Sequence, residues 1–88
     1  MVKKYIEKPR QVEALQWTGH NIDEALKFCA EQVFDYCENK NYFQLWINTW
    51  PYIDTQAEVK IGDYIVKYNK KNCTIWQESD FIERFQEL

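Results

Sequence analysis

Two glycines, two prolines, one serine and one histidine in 88 residues leave few of the parts from which common catalytic sites are built. A phosphate-cradling loop needs closely spaced glycines, and a hydroxyl or thiol nucleophile needs a histidine or other base beside it. Ser79 has no such neighbour in sequence. His20 stands just before a helix start, with no nucleophile or metal ligand near it, and reads as a surface loop residue. Cys29, Cys37 and Cys73 are odd in number, widely spaced and in no CxxC pair, which argues against both a disulfide framework and a zinc site. They are expected to be reduced thiols that behave as small apolar residues. No metal or cofactor is expected.

Long apolar runs are also missing. No stretch approaches the roughly 20 apolar residues that span a bilayer. The opening "MVKKYIEKPRQ" lacks the apolar segment of a secretory signal. The expectation is therefore a cytosolic protein with no membrane partner. Nor is there an excess of basic charge: 14 acidic residues against 11 basic ones give a net charge of −3, which confers no general attraction to nucleic acid or anionic lipid.

What the chain does have is apolar and aromatic bulk. Hydrophobic residues make up 45% and aromatics 17%, enough for a compact core and against disorder. A chain this short forms one domain, spanning 1–88, and buries roughly 60–65% of the surface that its unfolded form exposes.

The patterning along the chain predicts an α+β fold. Pro9 favours an extended entry, and "QVEALQW" at 11–17 reads as a strand with Leu15 and Trp17 on one face and Val12 and Ala14 on the other. Thr18-Gly19-His20 supplies a turn. Asn21 is a suitable helix N-cap, with Glu24 completing a capping-box-like pair. Ile22, Ala25, Leu26, Cys29, Ala30 and Val33 then fall on one stripe of a three-turn helix whose other face is charged. Residues 34–41, "FDYCENKN", read as an exit from that helix into a polar loop.

"YFQLWINTW" at 42–50 alternates as a strand: Phe43, Leu45, Ile47 and Thr49 face one way, and Tyr42, Gln44, Trp46, Asn48 and Trp50 the other. Pro51 interrupts it. "QAEVKI" at 56–61, "YIVKY" at 64–68 and "CTIWQ" at 73–77 follow as strands joined by short polar links, which favours an antiparallel meander. Ser79 or Asp80 can cap a last short helix bearing Phe81, Ile82, Phe85 and Leu88. The expected architecture is a small, twisted, mostly antiparallel sheet, able to curl into an open barrel, packed by one amphipathic helix and a short C-terminal helix.

Three groups of residues are candidates for function. Asp54, Glu58, Asp63, Glu78 and Asp80 could pair as acid and base, but none comes with an orienting group or oxyanion donor, so no enzymatic activity is expected. Tyr42, Trp46, Trp50 and Tyr52 form the second group. Aromatics along one strand face are core if a helix covers them and a partner-binding platform if none does. The third group is Lys67, Lys70 and Lys71 with Tyr68 and Trp76, a possible nucleic-acid- or nucleotide-binding edge. A lysine-bearing hairpin tip is also ordinary protection of a sheet edge, and that reading is favoured because no arginine joins the cluster.

Two stretches carry a family likeness. "KKYIEKPRQVEALQWTGHNIDEALKF" at 3–28 and "KIGDYIVKYNKKNCTIWQESDFIERF" at 60–85 resemble the beginning and end of a group of small bacteriophage and prophage accessory proteins. These open with a Lys-Pro segment, a Val-Glu-Ala-x-Gln-Trp strand and an Asn-led helix. They close with a Gly-Asp-Tyr-Ile-Ile-Lys strand, a hairpin and an Asp-Ile-Phe-like segment. The two stretches cover more than half the chain in the same order, although Ile61 stands where the group has proline and "TIW" replaces a Tyr-Pro-Cys-like segment. The resemblance implies a phage accessory protein acting in the host cytoplasm. From that follows the expected function, a non-enzymatic protein that binds and inhibits a host protein such as a defence factor. The alternatives are a nucleic-acid- or nucleotide-binding module and a virion structural or assembly component.

Gly62-Asp63, the centre of the second stretch, is expected to be structural: glycine for a positive φ, aspartate for a local bond to its own backbone, together turning one strand into the next.

Overall fold

The computed structural model describes residues 2–3, 12–49, 55–69 and 72–86. Their order is β1 (Glu13–Gln16), α1 (Ile22–Cys29) continued by a 3-10 turn (Ala30–Gln32), β2 (Val33–Asn39), β3 (Tyr42–Asn48), β4 (Gln56–Val59), β5 (Tyr64–Asn69), β6 (Asn72–Trp76) and α2 (Glu78–Arg84). The α+β class and the antiparallel pairing agree with the sequence pattern. The strands, however, divide into two three-stranded sheets. Sheet 1 has the order β1-β5-β6 and sheet 2 the order β2-β3-β4. The terminal segment around Pro9 and the interruption at Pro51 lie outside the described residues.

The core forms where the inner faces of both sheets meet the apolar stripe of α1. Leu15, Ile65 and Ile75 stand in one cross-strand row of sheet 1, while Leu45, Ile47 and Val59 supply sheet 2. Trp17, Ala25, Cys29 and Cys73 close the cluster, all but solvent-free. Alternation forces the neighbours of these residues outward, so each sheet has a second face. On sheet 1 that face is covered by α2. Phe81 stacks on Tyr64 with ring centroids 3.9 Å apart, Phe85 meets Trp76 edge-on at 5.1 Å, and the Gln16 amide donates to Glu78 at 2.9 Å. Val66, on the same face, is fully buried although it does not belong to the main cluster.

Residues 34–41 are not a polar loop. Residues 33–39 are β2, paired along its length with β3 and joined to it by the two-residue turn Lys40-Asn41, Lys40 having a φ of +57°. The polar tetrapeptide "ENKN" conceals this, because only its last half is turn. A bulge between Val33 and Asp35 leaves Phe34 as the extra residue, and it is exposed. The meander expected across Gly62-Asp63 is also replaced. β4 pairs with β3, and β5 with β1, so the turn carries the chain from one sheet to the other.

That turn is hydrogen-bonded from Asp63 N–H to the Lys60 carbonyl at 2.9 Å, with Gly62 at φ +98° in the position that type II turns reserve for glycine. The Asp63 carboxylate accepts from Lys60 N–H at 3.1 Å, the local bond expected of it. Trp17 exchanges backbone bonds with this turn: its N–H donates to the Asp63 carbonyl at 2.8 Å and its carbonyl accepts from Gly62 N–H at 2.7 Å. The pair is thus the clamp that holds Trp17 in the core.

Helix caps differ from the sequence expectation. Asn21 occupies the N-cap of α1, but its side chain turns back into the preceding loop. Its Oδ1 accepts from Thr18 N–H at 3.0 Å and from Thr18 Oγ1 at 2.9 Å, and its Nδ2 donates to the Gln16 carbonyl at 2.9 Å. The amide braces the β1–α1 link because three partners lie there. In α2 the N-cap is Gln77, not Ser79 or Asp80, and no side chain caps it. The apolar-thiol expectation holds for Cys29 and Cys73, whereas Cys37 is exposed on β2.

Candidate functional site

The candidate site is the outer face of sheet 2. Leu45 and Ile47 are drawn into the core, so Tyr42, Gln44, Trp46 and Asn48 necessarily emerge on the opposite side, each half-buried. Cross-strand register supplies their neighbours. Trp46 has Asp35 directly opposite on β2 and Glu58 directly opposite on β4, so the indole stands between two carboxylate-bearing positions in one row. Gln44 has Cys37 beside it, and Asn48 has Gln56.

Polar bonds knit this face loosely. Gln56 Nε2 donates to Asn48 Oδ1 at 3.1 Å, Gln44 Nε2 donates to Glu58 Oε1 at 3.4 Å, and the Cys37 thiol lies 3.5 Å from Gln44 Oε1. Asp35 Oδ1 accepts from the following backbone N–H, that of Tyr36, at 2.8 Å. Among the described residues both helices pack elsewhere, α1 in the core and α2 on sheet 1. Of the aromatic group read from the sequence, Tyr42 and Trp46 therefore sit on this open face, and Trp50 and Tyr52 lie outside the described residues.

At one end of the face β3 and β4 stop pairing beyond Leu45 and Val59, because Phe43 N–H donates to the Gly19 carbonyl at 2.8 Å and the Lys60–Asp63 turn swings toward sheet 1. The strands part around a cleft of about 200 Å³ with Trp17, Phe43, Val59 and Ile61 as its apolar lining and Tyr42, Gln44, Glu58 and Lys60 at its polar edge. Gly19 closes the back of this junction. A Cβ built there would lie 3.0 Å from Ile61 Cδ1 and 3.1 Å from Tyr42 Cβ, and its φ is +81°. Pattern reading missed the cleft because its walls come from three separate segments, around Trp17, at 42–44 and at 58–61.

The lysine group separates. Lys67 is in register with Cys73, on the core side of sheet 1, where Nζ donates to the Phe28 carbonyl at the end of α1 at 3.0 Å. Trp76 is on the other side, with Phe85 against its ring, the Arg84 guanidinium 5.8 Å from its centroid and its own indole N–H donating to Thr74 Oγ1 at 3.0 Å. Tyr68 follows Lys67 on β5 and is half-buried, and Lys70 and Lys71 lie outside the described residues.

The carboxylates considered for acid–base work are dispersed too. Glu58 is on sheet 2, Asp63 is in the inter-sheet turn, and Glu78 and Asp80 are on α2; Asp54 lies outside the described residues. No group of three or more histidine, cysteine, aspartate or glutamate side chains able to hold a metal occurs among the described residues. No described helix is long and apolar enough to cross a membrane.

What fold and site define is a class: a small α+β domain with one aromatic-centred sheet face that, among the described residues, neither helix covers. Comparison with known protein families, curated proteins and solved structures finds no match.

Proposed function

We propose that this chain is a phage-encoded, non-enzymatic binding protein that uses the open face of sheet 2 to engage, and thereby inhibit, a host protein such as a defence factor in the host cytoplasm. One observation carries the binding reading: Trp46 is half-buried at the centre of a sheet face that neither helix covers. Tryptophan at the middle of a patch, ringed by polar groups, is the usual composition of an interaction hot spot. The phage setting and the host partner rest on the resemblance of residues 3–28 and 60–85.

The nucleic-acid reading has less support, because Lys67 and Trp76 stand on opposite faces of sheet 1 and each already has an intramolecular partner. Affinity capture from host lysate, with the wild type beside Trp46→Ala, tests the proposal. A defined host protein retained by the wild type and lost from the variant is expected, with near-ultraviolet circular dichroism showing that the variant keeps its fold. Equal capture by both, or no defined protein on the wild type, overturns it. Trp46→Ala should lower stability by only about 1 kcal/mol, against about 2–5 kcal/mol for Leu45→Ala, since only the second leaves a cavity in the core.

A further inference from the structure

Deepening the proposed use of this face, we infer that the row Asp35–Trp46–Glu58 is a receptor for an arginine side chain of the protein partner. The argument starts from register. Directly opposed residues of antiparallel strands point to the same face with Cβ atoms about 4.5–5.5 Å apart, so the two carboxylates flank the indole from both sides. An indole face attracts a cation through its quadrupole, and guanidinium is the side-chain cation that also lies flat on it. Carboxylates at the ring margins match the guanidinium's fork of N–H donors, which can bond to an acid in pairs.

The charges on the row have no cation among their in-row neighbours. Among the described residues Asp35 accepts from the Tyr36 backbone amide and Glu58 from the Gln44 amide, and a carboxylate with one such bond keeps acceptor capacity for an incoming donor. The nearest lysine in sequence, Lys60, stands just past the end of β4, two positions beyond Glu58, at the edge of the cleft. Two negative charges around one aromatic ring oppose a phosphate and favour a cation. Stacking on the ring, with donors spread in its plane, selects arginine over lysine.

The test uses hexa-arginine, hexa-lysine and hexa-glutamate peptides titrated into the full-length protein, read by the indole N–H resonance of Trp46, assigned with Trp46→Phe. Hexa-arginine should move that resonance saturably, more tightly than hexa-lysine, and hexa-glutamate should not move it. The double variant Asp35→Asn, Glu58→Gln keeps the side-chain shapes and should weaken hexa-arginine at least tenfold while flattening the salt dependence. The same affinity in the double variant, or no movement of Trp46 with hexa-arginine, overturns the assignment. Failure here is separable from failure of the binding reading. Loss of a captured host protein in Trp46→Ala, without a response to hexa-arginine, removes only the arginine assignment; a response without any captured protein removes only the host-protein reading.

Discussion

Lys67 donates its ammonium to the Phe28 carbonyl at 3.0 Å and lies 5.3 Å from the centroid of the Phe28 ring. One side chain on β5 thereby satisfies an orphan carbonyl at the end of α1 and places a positive charge at the negative end of the helix dipole. Lys67→Met should lower stability by about 1–2 kcal/mol, the range for a charge-assisted bond that is not wholly buried. Urea unfolding measures it. An unchanged midpoint would mean that the contact contributes nothing net.

The same ammonium stands near two buried thiols. Burial pushes the Cys29 thiol from an ordinary 9.0 up to about 12, neighbouring Cys73 adds to the rise, and Lys67 opposes it. Burial also raises Cys73, again against Lys67. The folded state therefore holds protons that the unfolded chain releases. Stability from Cys29 is complete below about pH 9 and is lost as pH climbs from 9 toward about 12, and Cys73 acts in the same direction. At pH 8 a thiol reagent should label Cys37 rapidly, and Cys29 and Cys73 only as the protein opens; three equally fast sites would contradict this burial.

The two glycines should respond differently to alanine. Gly19→Ala meets both a positive φ and contacts of 3.0–3.1 Å with Ile61 and Tyr42, whereas a Cβ at Gly62 finds only Glu78 Oε2, at 3.7 Å. Gly62→Ala is expected to cost about 1 kcal/mol from backbone strain alone, and Gly19→Ala about 2–4 kcal/mol. Adding Ile61→Ala to Gly19→Ala should recover part of the loss, the part due to that contact. Thermal unfolding of the four proteins decides it.

Ala30 ends α1 at φ 46°, ψ −111°, a conformation close to that of the glycine position in a type II′ turn. It is also exposed, so its methyl contributes no packing. Ala30→Gly should stabilise the protein by about 1 kcal/mol, raising the melting temperature by about 4–8 °C. A lower melting temperature would show that this backbone is not strained.

Much of this molecule was legible along the chain because its elements obey local periodicities. The stripe read from Ile22 to Val33 marked α1, although the helix stops at Cys29, leaving Ala30 exposed and Val33 on β2; the alternation read over 42–50 marked β3 and sorted Leu45 and Ile47 from Trp46, and "NKKN" marked the β5–β6 hairpin. Even the Gly62-Asp63 turn and its aspartate-to-backbone bond follow from residue chemistry. What the periodicities could not supply was partnership. A turn looks the same in sequence whether it returns a strand beside its predecessor or sends it to another sheet, so the division into two sheets depended on the bonds between Trp17 and residues 62–63. Strand β2 went unread because its apolar spacing is broken by a bulge. The full burial of Trp17 and the half-burial of Trp46 depend on which layer covers which face, a choice made by α1 and α2 packing against particular sides. The row of Asp35, Trp46 and Glu58 spans 24 positions of sequence and exists only through register. Residue chemistry determined the elements; long-range hydrogen bonding and the covering of faces decided which residues meet, and with that the site.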